Sequence, residues 1–358
     1  MTNLDKHWVE VVAARINGSI VKHHTYTITK SRLFSKTLVQ QVTDCRCLAG
    51  PSRIGKTSVV KDFESELNPK FADELLSWRP VVRLTCRNRG DRGGFTTKGF
   101  FLDALSDIEH PFYKLDGKDI ERNHELIRRH DRETTTTLQA VFENALIILR
   151  TKYLIIDETQ HLRYMNGGEN STLKMLEFFK TLAEKLELTL IFVGAYPILN
   201  VLELSPHMLG RIAMIEMKRY TEDSEESLVR FHELLNWYSK DMHFTKGVNS
   251  LCDWNRELFD GSLGVIGLLS SWVRDAMSEM MARGDHSLSL DHLRYTRKSQ
   301  FFLNEMAREI IDGENYLQGK GGSIGSPNTK TKTKTKKRRG SKRPFDSNQK
   351  RRKKGERS

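Results

Sequence analysis

The sequence predicts an α/β protein: a parallel sheet covered by helices on both faces, then a smaller all-helical domain, then a disordered basic tail. Three observations predict it. Short apolar runs, "CRCLA", "RPVVRLTC", "KYLIID", "LTLIFVGA" and "AMIEMKRY", alternate with stretches of helical spacing, as strands buried between crossover helices do. From about Thr221 to Gln318 the pattern is wholly helical. The last stretch, "SPNTKTKTKTKKRRGSKRPFDSNQKRRKKGERS", has one aromatic residue and almost no aliphatics, too little apolar surface to offset ordering entropy.

The elements follow in order. Residues 1–44 form an N-terminal segment, with a helix near Lys6–Asn17 and a polar His/Thr-rich stretch after it. "CRCLAG" is a short strand. "KTSVVKDFESEL" repeats apolar residues at helical spacing through Val59, Val60, Phe63 and Leu67, and Asn68–Pro69 stops it. "RPVVRLTC" has the β-branched bias of a second strand. "RNRGDRGGFTTKGFF" is too rich in Gly and Arg to be anything but loop, at least in part. "TTLQAVFENALIILR" is an amphipathic helix leading to "KYLIID", a strand buried on both faces. "STLKMLEFFKTLAEKLE" puts Leu173, Leu176, Phe179, Leu182, Ala183 and Leu186 on one stripe, all read as core. Two more strands, "LTLIFVGA" and "AMIEMKRY", complete the sheet. The boundaries are then 1–44, a sheet domain over 45–220, a helical domain over 221–318, and the tail over 319–358.

Composition sets the class. A chain of 358 residues, 38% hydrophobic and 29% charged, can bury one large core or two modest ones. No run approaches twenty uninterrupted apolar residues, and the start lacks the apolar core of a secretory signal, so no membrane span is expected. The four cysteines, Cys45, Cys47, Cys86 and Cys252, form no C-x-x-C pair, which leaves zinc and a disulfide framework without support and implies a reduced, cytoplasmic protein. The net charge of +12 is concentrated: Ser326–Ser358 holds fifteen Lys/Arg against two acids, leaving residues 1–325 at about −1. The tail is therefore an electrostatic arm for nucleic acid or an acidic partner.

"GPSRIGKT" follows the first strand and fits G-x-x-x-x-G-K-[ST], the Walker A phosphate loop. Gly50, Pro51, Ser52, Arg53, Ile54 and Gly55 form the loop that would wrap the phosphates, all but Pro51 offering a backbone N–H. Lys56 would reach the β/γ oxygens, the Thr57 hydroxyl would hold Mg²⁺, and Ser58 continues the first turn. Independent support comes from "YLIIDETQHL". Asp157 ends a buried strand, where it can hold the Mg²⁺ shell, and the adjacent Glu158 can orient and deprotonate an attacking water. Both signals together imply ATP and Mg²⁺ as cofactors. Glu158 beside Asp157 separates the chain from P-loop kinases and GTPases and implies an additional-strand (ASCE) P-loop ATPase. A helical domain after the sheet is the AAA+ layout, in which ATP sits between subunits of an oligomer. Such a site takes an arginine in trans, and Arg211, just before the fifth strand, is the candidate.

At this point the chain resembles the TnsC/TniB family of AAA+ transposition regulators. The residues that carry the resemblance are "GPSRIGKT", "YLIIDETQHL", "LIFVGAYPIL" followed by "GRIAMIEM", and "DGSLGVIGLLSSW", across roughly residues 35–285. The resemblance implies an ATP-dependent adaptor that forms rings or helical filaments around double-stranded DNA. It would receive a signal from a TniQ or TnsD type target selector and pass it to the transposase, with hydrolysis driving release; a nucleoid-associated, bacterial location goes with it. Two departures stand out. Ala195 occupies the place of a polar sensor at the end of the fourth strand, with Thr189 and Tyr196 as weak substitutes. "GSLGVIGLL" has no Arg in its first turn, and Arg274 comes ten residues after Gly264.

If the subunits ring DNA, contacts go mainly to phosphates. Two segments between Lys56 and Asp157 are candidates: Arg87, Arg89, Arg92 and Lys98 in one, Arg128, Arg129, Arg132 and Thr134 in the other. Two competing readings remain open. One is another DNA-loading AAA+ ATPase, IstB-like or origin-recognition-like; the other is a nucleotide-switch signalling ATPase without DNA.

Overall fold

The computed structural model describes residues 3–18, 22–39, 44–68, 78–87, 95–114 and 132–320. Five strands, β1 (Cys45–Ala49), β2 (Val81–Thr85), β3 (Tyr153–Asp157), β4 (Thr189–Gly194) and β5 (Ile212–Glu216), form one sheet in the order β2-β3-β4-β1-β5. Every pairing is parallel. β4 separates β1 from β3, so the strand that enters the phosphate loop and the strand that ends in Asp157 are one strand apart. This is the additional-strand P-loop order that the motifs implied.

Both faces are covered, and the pleat shows by what. Side chains alternate across a strand, and the register sets Tyr153 and Ile155 beside Thr189 and Ile191, with Leu154 and Ile156 beside Leu190 and Phe192. On the Tyr153 face lie α2 (His24–Val39) and α3 (Lys56–Leu67), where Phe63 meets Phe34 and Tyr153 edge to face or tilted. On the Phe192 face lie α4 (Thr97–Asp107), α5 (Thr135–Ile148) and α6 (Glu169–Leu186), joined by Phe100, Phe101, Phe142 and Phe179. Asp157 follows Ile155 by two, so its carboxylate sits on the face of α3, whose amino end carries Lys56.

Two readings change. The His/Thr-rich stretch is helix α2: Tyr26, Thr29, Leu33 and Thr37 make a buried stripe, and Thr29 Oγ1 donates back to Thr25 O at 2.7 Å. Threonine favours strands and turns by propensity, which hid the period. Leu173 is 36% exposed and not core, because the buried stripe of α6 runs through Thr172, Met175, Leu176, Phe179, Leu182 and Ala183.

After two short helices, α7 (Ile198–Leu202) and α8 (Pro206–Leu209), and β5, the chain is helical: α9 (Glu225–Ser239), α10 (Asn255–Ser262), α11 (Ile266–Arg283), α12 (Leu290–Thr296) and α13 (Gln300–Leu317). Trp272 of α11 is its anchor. Its indole N–H donates to Leu293 O at 2.8 Å, and its ring fills the space a Cβ on Gly261 would take. The first helix, α1 (Asn3–Gly18), packs on these helices, with Trp8 stacked on His243 and Arg15 paired to Asp241 at 2.9 Å. The described residues fall within one compact unit, and 326–358, the basic tail, lie outside them. No helix among the described residues is long and apolar enough to cross a membrane.

Candidate functional site

The site is built where β1, β3 and β4 end. Gly50 leaves β1 against β5: a Cβ there would lie 2.5 Å from Met217 O, and Met217 N–H donates to Ala49 O at 2.8 Å, so the backbones cannot separate. Only glycine passes. Gly55, at φ +109, turns the loop into α3, whose amino end has no side-chain cap. Uncapped first-turn N–H groups are the feature that receives an anion. Arg53, itself at φ 65, presents its carbonyl to Gly267 N–H of α11 at 3.1 Å, so the helical region touches the loop directly.

Lys56 is 8% exposed, and its ammonium donates to Gly50 O at 3.0 Å and Pro51 O at 2.7 Å. Burial pushes its pKa down to about 8, opposed by the fields of Glu158, Asp157 and Glu309. The Thr57 hydroxyl hydrogen-bonds the Asp157 carboxylate. Burial raises the Asp157 pKa, while that hydrogen bond and the Glu158 N–H, 2.9 Å from Oδ1, work against the rise. Lys56, Thr57, Asp157 and Glu158 therefore converge from α3 and β3. The donor set, one ammonium, one hydroxyl, one carboxylate and a run of backbone N–H groups, fits a triphosphate with Mg²⁺, an ion that keeps most of its shell as phosphate and water oxygens.

Glu158 has a left-handed backbone, φ 56, the kind of outlier that persists where surrounding structure holds it. It opens a tight helical turn over Thr159–Tyr164 that is tied down at three points. Thr159 Oγ1 donates to Ile156 O at 2.6 Å, His161 Nδ1 to Cys86 O at 2.9 Å, and the turn's Leu162 O accepts from Thr172 Oγ1 at 2.7 Å.

Arg211 lies elsewhere. Its carbonyl accepts from Cys45 N–H at 3.1 Å, at the opposite end of β1 from the loop, and its exposed guanidinium pairs with Glu184 at 2.9 Å. Five strand residues at ~3.3 Å each separate it from its own phosphate loop. Among the sensor substitutes, Thr189 begins β4 and so sits at the far end from the site, and the Tyr196 hydroxyl donates to Glu216 at 3.0 Å. Arg274 lies eight residues into α11, ~12 Å along the axis from the end that meets Arg53.

The DNA candidates divide. Arg89, Arg92, Arg128 and Arg129 lie outside the described residues. Arg87 pairs with Asp107 at 2.7 Å, Lys98 is in the first turn of α4, and Arg132 is exposed. Thr134 accepts from Thr137 N–H at 3.1 Å and caps α5.

Sequence reasoning missed several neighbours. Arg83 Nη1 stands 4.0 Å from Asp157 and its Nε donates to Glu64 at 3.1 Å; a charge inside a strand pattern was its signal. Gln160, inside the quoted "DETQHL", bonds both Glu158 and the end of β4. α13 seats Gly313 on the Tyr196 ring and pairs Glu314 with Arg219 at 2.8 Å, which brings Glu309 within the field of Lys56; nothing local signals it. A cavity of about 450 Å³ opens at the end of β5, lined among others by Thr25, Arg32, Glu216, Arg219 and Tyr220.

A family model described as "Bacterial TniB protein" matches residues 28–222. No protein of curated function matches. Solved structures with related architecture include the Walker-type ATPase PABY2304 of Pyrococcus abyssi, at 20% identity over 81% of this chain and 74% of that one, TM-score 0.44. Another is the Aeropyrum pernix ORC2 protein in its ADP form, at 14% identity over 79% and 71%, TM-score 0.49. At these scores the likeness is too loose to inform the site.

Proposed function

The chain belongs to the bacterial TniB family, and from that premise we propose that it is an ATPase that assembles on duplex DNA and couples target selection to transposase recruitment. The observation that carries the ATPase reading is the convergence of Lys56, Thr57, Asp157 and Glu158 at the ends of β1 and β3. Backbone N–H groups of the 50–55 loop bind phosphate oxygens, and Lys56 exchanges the carbonyls of Gly50 and Pro51 for them. Thr57 and Asp157 would hold Mg²⁺, which would supply neutralisation of the charge that develops on the phosphates. Glu158 accepts the proton of the attacking water. Arg211, turned away from its own loop, reaches the nucleotide of a neighbouring copy, so the site is complete only in an oligomer, ring or filament.

In this reading residues 45–220 are the nucleotide-binding domain, 221–318 the helical lid and 319–358 a basic arm. Arg87, Arg89, Arg92, Lys98, Arg128, Arg129, Arg132 and Thr134 are the phosphate-contact candidates. A TniQ/TnsD type selector and transposase subunits are the partners that the family resemblance implies. ATP favours assembly and hydrolysis favours release, so commitment to a target is reversible.

The test is ATP turnover with and without duplex DNA, read beside electron microscopy of the protein with ATP and duplex. The expected result is DNA-stimulated hydrolysis and ATP-dependent assemblies, lost in Lys56→Ala and trapped in Glu158→Gln. Assembly and turnover by Lys56→Ala at the parent level would refute the proposal.

A further inference from the structure

Ala195, just past the end of β4, stands in the place expected of a polar sensor and offers no polar side chain. The structure fills the gap from the other side. Gln160 projects from the turn after Glu158 toward the end of β4, and its Oε1 accepts from Ala195 N–H at 3.2 Å. A backbone N–H can only donate, so the amide oxygen must face Ala195 and the NH₂ must face the other way. That NH₂ donates to Glu158 Oε2. Gly194 makes the room: a Cβ there would lie 2.3 Å from Gln160 Oε1. The turn carrying Gln160 is itself anchored through Thr159 and His161, so both ends of the amide rest on fixed elements.

We propose that Gln160 is the positioning residue of this site, holding the Glu158 carboxylate against the end of β4 in the role that Ala195 cannot play. One carboxylate oxygen is occupied by the amide N–H, and the other is left to take the proton of water. The amide has no titratable proton, so it orients Glu158 without competing for that proton. The inference rests on the hydrolytic reading of Glu158 given above.

The test uses the full chain with ATP, Mg²⁺ and duplex DNA, and a non-hydrolysable ATP analogue for affinity. Gln160→Met keeps the length and removes both hydrogen bonds. Its kcat is expected to fall by about 10- to 100-fold with analogue Kd unchanged within about twofold. Gln160→Glu sets a second carboxylate against the first and is expected to lose a similar factor near pH 8. A merely structural role moves Kd and kcat together; that result overturns the inference, as does parent-level turnover by Gln160→Met. Glu158→Gln separates the two failures. If it abolishes turnover while Gln160→Met does not, only this inference falls; if it turns over like the parent, the hydrolytic reading falls and takes this inference with it.

Discussion

Replacing Gly267 by alanine tests whether the helical region holds the phosphate loop in shape. Gly267 lies in the first turn of α11, and its N–H is hydrogen-bonded to Arg53 O at 3.1 Å. An added Cβ would stand 2.2 Å from that oxygen and 2.8 Å from Arg53 Cβ, where ordinary contact begins at 3.4 Å. The shortfall, 3.4 less 2.2, is 1.2 Å, and neither partner is a flexible side-chain end. α11 or the loop must therefore move by about 1 Å. Overpacking of this kind costs ~1–3 kcal/mol, and the gain of alanine over glycine inside a helix returns ~1 kcal/mol. Net stability should fall by no more than ~2 kcal/mol. Nucleotide binding should suffer more, because Arg53 lies between the glycines that shape the loop, and a misplacement of ~1 Å can cost ~100-fold in a positioned site. The assay is analogue affinity by titration beside thermal unfolding without nucleotide. We expect Kd to rise by about 10- to 100-fold while the melting temperature falls by only a few degrees. Gly210→Ala, whose nearest atom would be 4.0 Å away, should change neither. Unchanged affinity in Gly267→Ala would show that the contact between α11 and the loop does not shape the phosphate site.

Because burial holds Lys56 near a pKa of about 8 in the free protein and phosphate would favour its charged form, nucleotide binding should take up about half a proton near pH 8 and about a tenth near pH 7. Calorimetry in buffers of different ionisation heat reads this directly; equal uptake at both pH values refutes it. Arg211→Ala should leave the melting temperature within about 1–2 °C, since an exposed pair with Glu184 contributes little, yet reduce turnover by about 10³-fold. Mixing it with Lys56→Ala should restore activity that neither has alone, and failure to do so rules out action in trans. His23 is buried against Tyr220, and burial lowers its pKa to about 4. Its contribution to stability is present above the unfolded value of about 6.5 and is lost as the pH falls toward about 4, at most ~3 kcal/mol. Denaturant unfolding across that window should be markedly flatter in His23→Gln than in the parent; identical slopes refute the assignment.

The sequence by itself determined what depends on neighbouring residues. The phosphate loop, the Asp157–Glu158 pair at a strand end and the amphipathic helices are written within a few positions of one another, because backbone conformation and side-chain period are local. It also implied the additional-strand class, which the order β2-β3-β4-β1-β5 bears out. What only the tertiary structure decided are the contacts made across long separations. Gln160 reaches Ala195 N–H, Arg83 stands beside Asp157, α11 presses Gly267 on Arg53, and α13 carries Glu309 toward Lys56. The buried threonine stripe of α2 belongs with them, since its period shows only against the sheet it covers. A hydrogen bond or a sub-van-der-Waals approach between distant segments leaves no period and no motif in the chain. It exists only once packing has set two backbones within a few ångströms of each other.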